Sequence, residues 1–443
     1  MTASQRLPIL GACLLGTLAC QGRKAPVPAG SLVIAQTPAS PAASSHPRSV
    51  LDARYPQGSR VILAVPPLNP GNVRVLSQGL VAAEEPFVAP DGQRALFAGK
   101  RTPDGAWQIY DVSLGGGKPR ALTSMPEGAT SPTLLANGSV VFVSPARGPE
   151  DGWFPKNPAA LWALAPGDAT PKRLTYGTAS AADPTVLSDG RILFVSAMPP
   201  ESSPPRCSLF TVYNDGTGVS PYACQHDGSG EIGRPRELPG GRIAFLSRAT
   251  RSGRGGVPEM VLASRPWLSR QALLPADSGI AEPLFHDPAW EELEAVRVEP
   301  RKRPMGRIST LDIAKKSGVV FCLDVNHTTY EPRTRAARVR ILAVGDGGTS
   351  RPLGEVPVHE DGSFMAEVQA DVALGFEALD EAGNVVRRLP PSVWVRPGEN
   401  RGCIGCHEPH GLAPRNRRPL AVKEPPVAVG FARRTRPGKS SYP

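Results

Sequence analysis

No apolar run in this sequence is long enough to cross a bilayer, which takes about 20 residues. The N-terminal candidate, Leu7 to Ala19, falls short of that. There is no phosphate-binding loop, no Ser-His-Asp arrangement and no carboxylate pair that stands out from background, so nucleotide chemistry and hydrolysis have no visible machinery. A helix-friendly composition is missing too. Pro and Gly make up 96 of the 443 residues, about 22% against a usual ~12%. Each Pro removes a backbone donor and clashes in a helix interior, and each Gly costs helix stability through backbone entropy. A helical bundle is therefore excluded. A fully disordered chain is excluded as well, because 40% of the residues are hydrophobic. The body also lacks an excess of positive charge. Of the net +10, residues 411–443 carry eight Lys and Arg against the single Glu424. A body near neutrality is not a nucleic-acid-binding surface. Residues 415–443 read as a basic disordered tail.

What is present begins with an export signal. Arg6 precedes the apolar run, which has the length of a secretory h-region. It ends in Thr17-Leu18-Ala19-Cys20, which resembles a lipobox with Cys20 as the lipidated residue. Leu10-Gly11-Ala12-Cys13 fits the letters but leaves too short an apolar region. An ordinary signal peptide with an incidental Cys20 is the alternative. Residues 21–55, rich in Ala, Pro and Ser, read as a disordered linker. The mature chain is expected outside the cytoplasm, periplasmic or on the outer membrane through a lipid anchor.

The centre of the chain repeats. Pro86, Pro132, Pro184 and Pro235 are each followed five residues later by Asp91-Gly92, Asn137-Gly138, Asp189-Gly190 and Gly240-Gly241, then by Phe97, Phe142, Phe194 and Phe245. Those dipeptides supply the positive φ of tight hairpin turns. Apolar strands follow each turn, and two units close in Leu122-Thr123 and Leu174-Thr175. A period near 50 with several strands per unit indicates propeller blades. The fold class is mainly β: a β-propeller over 56–325, of about six blades and similar to TolB-like repeats. Within it, a hairpin centred on Asp215-Gly216 sets Cys207 opposite Cys224, a candidate disulfide in an oxidising compartment. Cys322 is left over as a small buried residue. Glu291, Glu292 and Glu294, near His286 and Asp287, read as a solvated acidic face and not as a metal cluster.

From about Thr334 the strands become short and closely spaced, with turns at Asp361-Gly362 and at Glu381 to Asn384. This suggests a β-sandwich-like domain over 326–414. It carries the chemistry-bearing motif, Cys403-Ile404-Gly405-Cys406-His407. Cys-x-x-Cys-His is the spacing that attaches a c-type haem: two thiols bond to the porphyrin and the adjacent imidazole ligates iron. A zinc site would want a second Cys pair nearby, and a thioredoxin-like pair would want a βαβ context. One covalent haem c is expected on Cys403 and Cys406, with His407 as the axial iron ligand. No Met follows His407, so the sixth iron position is either open or filled by a side chain from elsewhere in the chain. His410 and His327 are the named candidates, with His359, His286 and Met305 behind them.

Val356-Pro357, Asp361-Gly362-Ser363-Phe364, Leu379-Asp380-Glu381 with Gly383, and Pro397-Gly398-Glu399 before Cys403-Ile404-Gly405-Cys406-His407-Glu408 together resemble the haem-bearing middle domain of the hydrazine synthase alpha subunit family. The resemblance implies a propeller before this domain, haem attachment at Cys403 and Cys406, and a metal-ligand role for His407. Where that family places a ligand Tyr four residues beyond the His, this sequence has Gly411. Two functions follow. One is an exported c-type haem protein in redox chemistry or electron transfer with a redox partner protein, a haem-dependent oxidoreductase if it is an enzyme. The other is a propeller-based scaffold that binds a protein or glycan, with a structural Cys/His metal site.

Overall fold

The computed structural model describes residues 27–39, 57–145, 158–197, 207–224, 231–248, 259–263, 273–275, 284–328, 334–345, 349–405 and 418–431. Among them the helical elements are two 3-10 turns, Pro70–Asn72 and Leu420–Lys423; the rest is strand, turn and loop.

The first strands are β1 (Leu32–Pro38), β2 (Arg60–Ala64) and β3 (Val73–Val75). Four hairpin-linked sets follow: β4 (Ala82–Val88) to β7 (Arg120–Ala121), β8 (Thr130–Leu134) to β11 (Lys172–Arg173), β12 (Ser180–Val186) to β15 (Ser220–Cys224), and β16 (Glu231–Glu237) to β19 (Leu273–Pro275). Strand β20 (Trp290–Arg297) then returns to pair antiparallel with β1, giving the order β20-β1-β2-β3. The described propeller strands form five four-stranded sheets. Ser317–Cys322, inside the expected 56–325 propeller span, belongs to the second domain.

β1 also corrects the reading of residues 21–55 as disordered. Each residue from Leu32 to Thr37 is buried. Six apolar-leaning residues inside an Ala/Pro/Ser-rich stretch disappear in a composition average, yet they suffice for one interior strand. The acidic run from Glu291 to Glu294 lies on β20, beside β1. Glu294 is mostly buried and binds Arg236 at 3.0 Å and Arg234 on β16, which ties the last blade to the first.

Each repeat signal has a structural role. In β5 (Arg94–Lys100), Ala95 and Phe97 pack toward the preceding blade, whereas Leu96 and Ala98 pack toward the following one. Both faces are covered, so the strands read as continuous apolar runs without alternation. Phe97, Phe142, Phe194 and Phe245 each join the core shared with the blade before their own. Burying such a ring contributes about 1.5–3 kcal/mol. Thr123 and Thr175, which close two units, accept the backbone N–H of Ile109 and Leu161, both at 2.9 Å. The repeating Pro sits in a bulge of each innermost strand, where its missing N–H breaks no ladder bond. The residue before it, Glu85, Ser131, Asp183 or Arg234, has φ near +50°.

The hairpin at Asp215-Gly216 has the expected register only near its turn. Thr211 pairs with Ser220 and Phe210 with Pro221, but a bulge then sets Ser208 opposite Cys224, and Cys207 pairs with Ala197. Pro221 withholds a donor and Tyr222 fills the extra position. The side chains of Cys207 and Cys224 lie outside the described residues.

After β20, residues 299–316 cross the propeller turns. Arg301 N–H reaches Pro90 O at 2.9 Å, Met305 N–H reaches Ser188 O at 3.0 Å, and Asn214 Nδ2 reaches Arg307 O at 2.9 Å. The second domain comprises β21 (Ser317–Cys322), β22 (Arg338–Val344), β23 (Ser350–Pro357), β24 (Phe364–Gln369), β25 (Leu374–Leu379), β26 (Val385–Val393), β27 (Asn400–Cys403) and β28 (Val427–Ala428). They form two four-stranded sheets, β27-β21-β24-β28 and β23-β22-β25-β26, around one apolar core. Part of the expected disordered tail belongs to this domain. β28 pairs parallel with β24, and Val429 is buried in the core. Leu420 N–H binds Asp361 Oδ2 at 2.9 Å, and Ala421 N–H binds Ser363 Oγ at 3.0 Å. Net charge concealed a short apolar segment there.

Candidate functional site

The segment leading to the Cys-x-x-Cys-His motif is first fixed to the propeller. Trp394, only 3% exposed, packs into the core shared by the third and fourth blades, and its Nε1–H donates to Gly216 O at 3.0 Å. Arg396 donates to Arg173 O at 2.7 Å and pairs with Asp371 at 3.0 Å. Glu399 accepts Gly218 N–H at 2.9 Å and Arg396 N–H at 2.8 Å. Arg401 reaches Val219 O.

Burial raises the Glu399 carboxyl above the usual range, against the pull of those N–H groups and Arg401. Burial likewise raises Asp371, opposed by Arg396 and Arg173. Tyr176, with Arg173 and Arg396 about its ring at 4.7 and 4.8 Å, is pushed up to about 12, mainly by burial. The Pro-Gly-Glu signature is thus a docking element.

From there β27 runs parallel to β21 and delivers Cys403 beside Cys322. The alignment continues past the strand: Leu323 N–H binds Cys403 O at 2.9 Å and Asp324 N–H binds Ile404 O at 3.1 Å. The chain then turns, with His327 N–H on Asp324 O at 3.0 Å. This turn presses on Gly405. A Cβ placed there would collide with the His327 carbonyl oxygen and lie 3.0 Å from His327 Cβ. Only Gly fits.

Cys403 and Gly405 border a cavity of about 30 Å³ lined by Val320, Cys322, Val325, Phe364 and Phe376, with Arg387 and Arg388 at its side. Arg387 is 7% exposed. Its Nη1 donates to Thr334 O at 2.7 Å and its Nη2 to Asn326 Oδ1 at 3.1 Å, but its Nε–H has no acceptor. His327 Nε2 is likewise buried without a hydrogen-bond partner. A buried polar atom left unpaired is costly, about 1–3 kcal/mol, and calls for an explanation.

The cavity's lining fits the edge of a haem: an apolar wall, the Cys403 thiol and the unpaired Arg387 donor, with His327 packed by its backbone and Cβ against Gly405. The cavity itself holds only a small group such as a vinyl edge, since about 10–15 Å³ in this measure admits one water.

Of the other candidates, His359 sits in the turn between β23 and β24, with its N–H on Ser363 O at 2.9 Å. His286 lies on the first blade, 3.7 Å from Glu292. Met305 lies on the segment crossing the propeller turns. Among the described residues only His327 meets the motif. Cys20, Cys406, His407 and His410 lie outside the described residues. Sequence reasoning missed Arg387 and the partnership of Cys322. Neither carries a local signal, because both depend on which strands become neighbours. Among the described residues there is no cluster of three or more His, Cys, Asp or Glu that could hold a metal ion, and no helix long and apolar enough to cross a membrane.

Residues 325–408 match the family described as hydrazine synthase alpha subunit middle domain. Hydrazine synthase subunit alpha of Kuenenia stuttgartiensis is 26% identical over 133 residues, which is 30% of this chain and 16% of that protein. The aligned stretch thus spans under a fifth of that relative's length. A solved structure of hydrazine synthase from the same organism superposes with a TM-score of 0.71, at 17% identity, over 89% of this chain and 72% of the other. At that identity the likeness speaks to the fold, and it includes the propeller as well as the sandwich. TolB from Acinetobacter baumannii aligns over 56% of this chain and 64% of its own, with 18% identity and a TM-score of 0.36. Through residues 325–408, which bear the Cys-x-x-Cys-His motif, this chain is similar to the hydrazine synthase alpha subunit.

Proposed function

We propose that this chain is an exported c-type haem protein acting in periplasmic or cell-surface redox chemistry or electron transfer. Cys403 and Cys406 would attach one haem, and His407 and His327 would supply nitrogen ligands to its iron. The observation that carries this reading is the buried, unpartnered Nε2 of His327, on a residue whose carbonyl oxygen and Cβ pack against Gly405 of the motif. A bound haem supplies one-electron chemistry at its iron.

The chain's residues do the rest. The β21–β27 pairing fixes Cys403, and the turn at Asp324 presents His327. The unpaired Nε–H of Arg387 offers a donor to a haem carboxylate. The apolar wall of Val320, Phe364 and Phe376 keeps water from the attachment edge. Cleavage of the signal and lipidation at Cys20 would tether the protein to a membrane, with a redox protein as its electron partner.

The test is expression with cytochrome c maturation machinery. A haem-stained band on a denaturing gel, lost in Cys403→Ser/Cys406→Ser, is expected. The reduced wild type should not bind CO, whereas His327→Ala should. An unstained wild type overturns the haem; CO binding by the wild type equal to that of His327→Ala overturns the assignment of His327.

A further inference from the structure

Cys322 and Cys403 come from positions 81 apart in the sequence, yet they are register partners on the neighbouring parallel strands β21 and β27. Paired positions in a ladder project to the same face, and adjacent strands lie ~4.8 Å apart. That separation falls within the Cα distance a disulfide spans, about 4.4–6.8 Å. Both residues carry thiols and both line the same cavity. They differ in access: Cys322 is 2% exposed, and Cys403 is half-buried. The hydrogen bonds from Leu323 and Asp324 to the 403–404 carbonyls hold the two strands in this register.

We propose that Cys322 is a redox partner of Cys403: before haem attachment the two form a reversible disulfide, and Cys403 accepts haem only when that bond is reduced. The inference rests on the reading of Cys403 as an attachment thiol. The oxidant is a low-molecular-weight disulfide of the glutathione class. The thiolate of the accessible Cys403 attacks one of its sulfurs, releases one thiol and forms a mixed disulfide. Cys322, losing its proton, then attacks the Cys403 sulfur and expels the second thiol. The protein loses two protons and two electrons, and the oxidant becomes two thiols. A dithiol reductant reverses both steps.

This inverts the expectation that Cys322 only fills space. It also separates two ways of guarding the motif. A pair within the motif, Cys403 with Cys406, would leave Cys322 reduced; a pair across the strands leaves Cys406 reduced.

The experiment uses the full chain produced without haem supply. It is oxidised with glutathione disulfide, alkylated, digested and mapped by mass. A peptide linking Cys322 to Cys403 is expected, about 2 Da below the reduced pair and restored to it by dithiothreitol. A map linking Cys403 only to Cys406, or showing Cys403 and Cys322 both alkylated, overturns the proposal. In a second arm, Cys322→Ala and Cys322→Ser are matured under oxidising and reducing conditions, with thermal denaturation confirming that they fold. Covalent haem yield should exceed the wild type by about threefold when oxidising and equal it when reducing. Equal yields in both conditions overturn the gating. Haem absent from every variant with the cross-link present overturns the haem reading and leaves the thiol pair standing; haem present without the cross-link does the reverse.

Discussion

His327 and Gly405 touch so closely that the position opposite the histidine backbone admits no side chain. The contact joins the turn after β21 to the first residues of the Cys-x-x-Cys-His motif. Gly405→Ala is therefore expected to push the two segments apart. We expect a loss of about 1–3 kcal/mol, as for other overpacking changes, together with a lower yield of covalent haem. Urea denaturation and haem staining measure the two effects.

Trp394 couples the domains. Its indole is buried in the propeller core and bonded to Gly216 O. Trp394→Ala should cost about 3–5 kcal/mol, and it should make the two domains unfold separately. Tryptophan fluorescence and far-UV circular dichroism, coincident in the wild type, would then give two midpoints. Coincident midpoints in the variant would show that the domains are held by other contacts.

Glu294 closes the ring of blades by binding Arg234 and Arg236. Glu294→Ala leaves two guanidinium groups without that acceptor. The expected loss is about 1–3 kcal/mol, seen as a lower urea midpoint. Glu291→Ala, on the same strand at its exposed side, should lie within about 0.5 kcal/mol of the wild type.

The docking interface carries a pH signature. Burial raises Glu399 and Asp371 above the usual carboxylate range. A carboxyl whose folded pKa exceeds its unfolded value binds its proton more tightly when folded. Its contribution to stability is therefore greatest at low pH. It falls as pH rises from about 4 through the raised folded value, and it is level beyond. Asp215 has the opposite sign: burial raises it, but hydrogen bonds from Thr217, Ser309 and Thr310 outweigh burial and hold it low. Melting temperature against pH for the wild type and Glu399→Gln isolates the first effect. The wild type should lose stability relative to the variant as pH rises through that window, and a constant difference would refute the assignment.

Much of the propeller is written locally. Pro, then Asp-Gly, Asn-Gly or Gly-Gly, then an apolar run marks the second strand of four blades, because hairpin turns and covered strands depend on near neighbours. The sandwich strands were legible for the same reason. Leu374–Leu379, an apolar run just before the Glu381 to Asn384 turn, is a strand buried at all six positions. The innermost strands were less legible: Ala82–Val88 and Glu231–Glu237 contain Pro and charge, and they are strands only because a bulge absorbs the Pro. β1, and β28 in the tail, escaped for a similar reason. Each is a short segment whose burial comes from strands far away in sequence.

The motif was the clearest signal in the sequence, because thiol spacing is a local property. Its surroundings were not readable. That His327 meets Gly405, that Arg387 lines the cavity beside Cys403, and that Cys322 is the register partner of Cys403 are results of β21 pairing in parallel with β27. Such a pairing is fixed by the packing of a whole sandwich core and by its docking through Trp394 and Glu399. Sequence alone determined the repeat, the turns and the Cys-x-x-Cys-His chemistry. Tertiary structure decided which thiol, imidazole and guanidinium stand around that motif, because contacts between distant segments follow from the cooperative burial of the core.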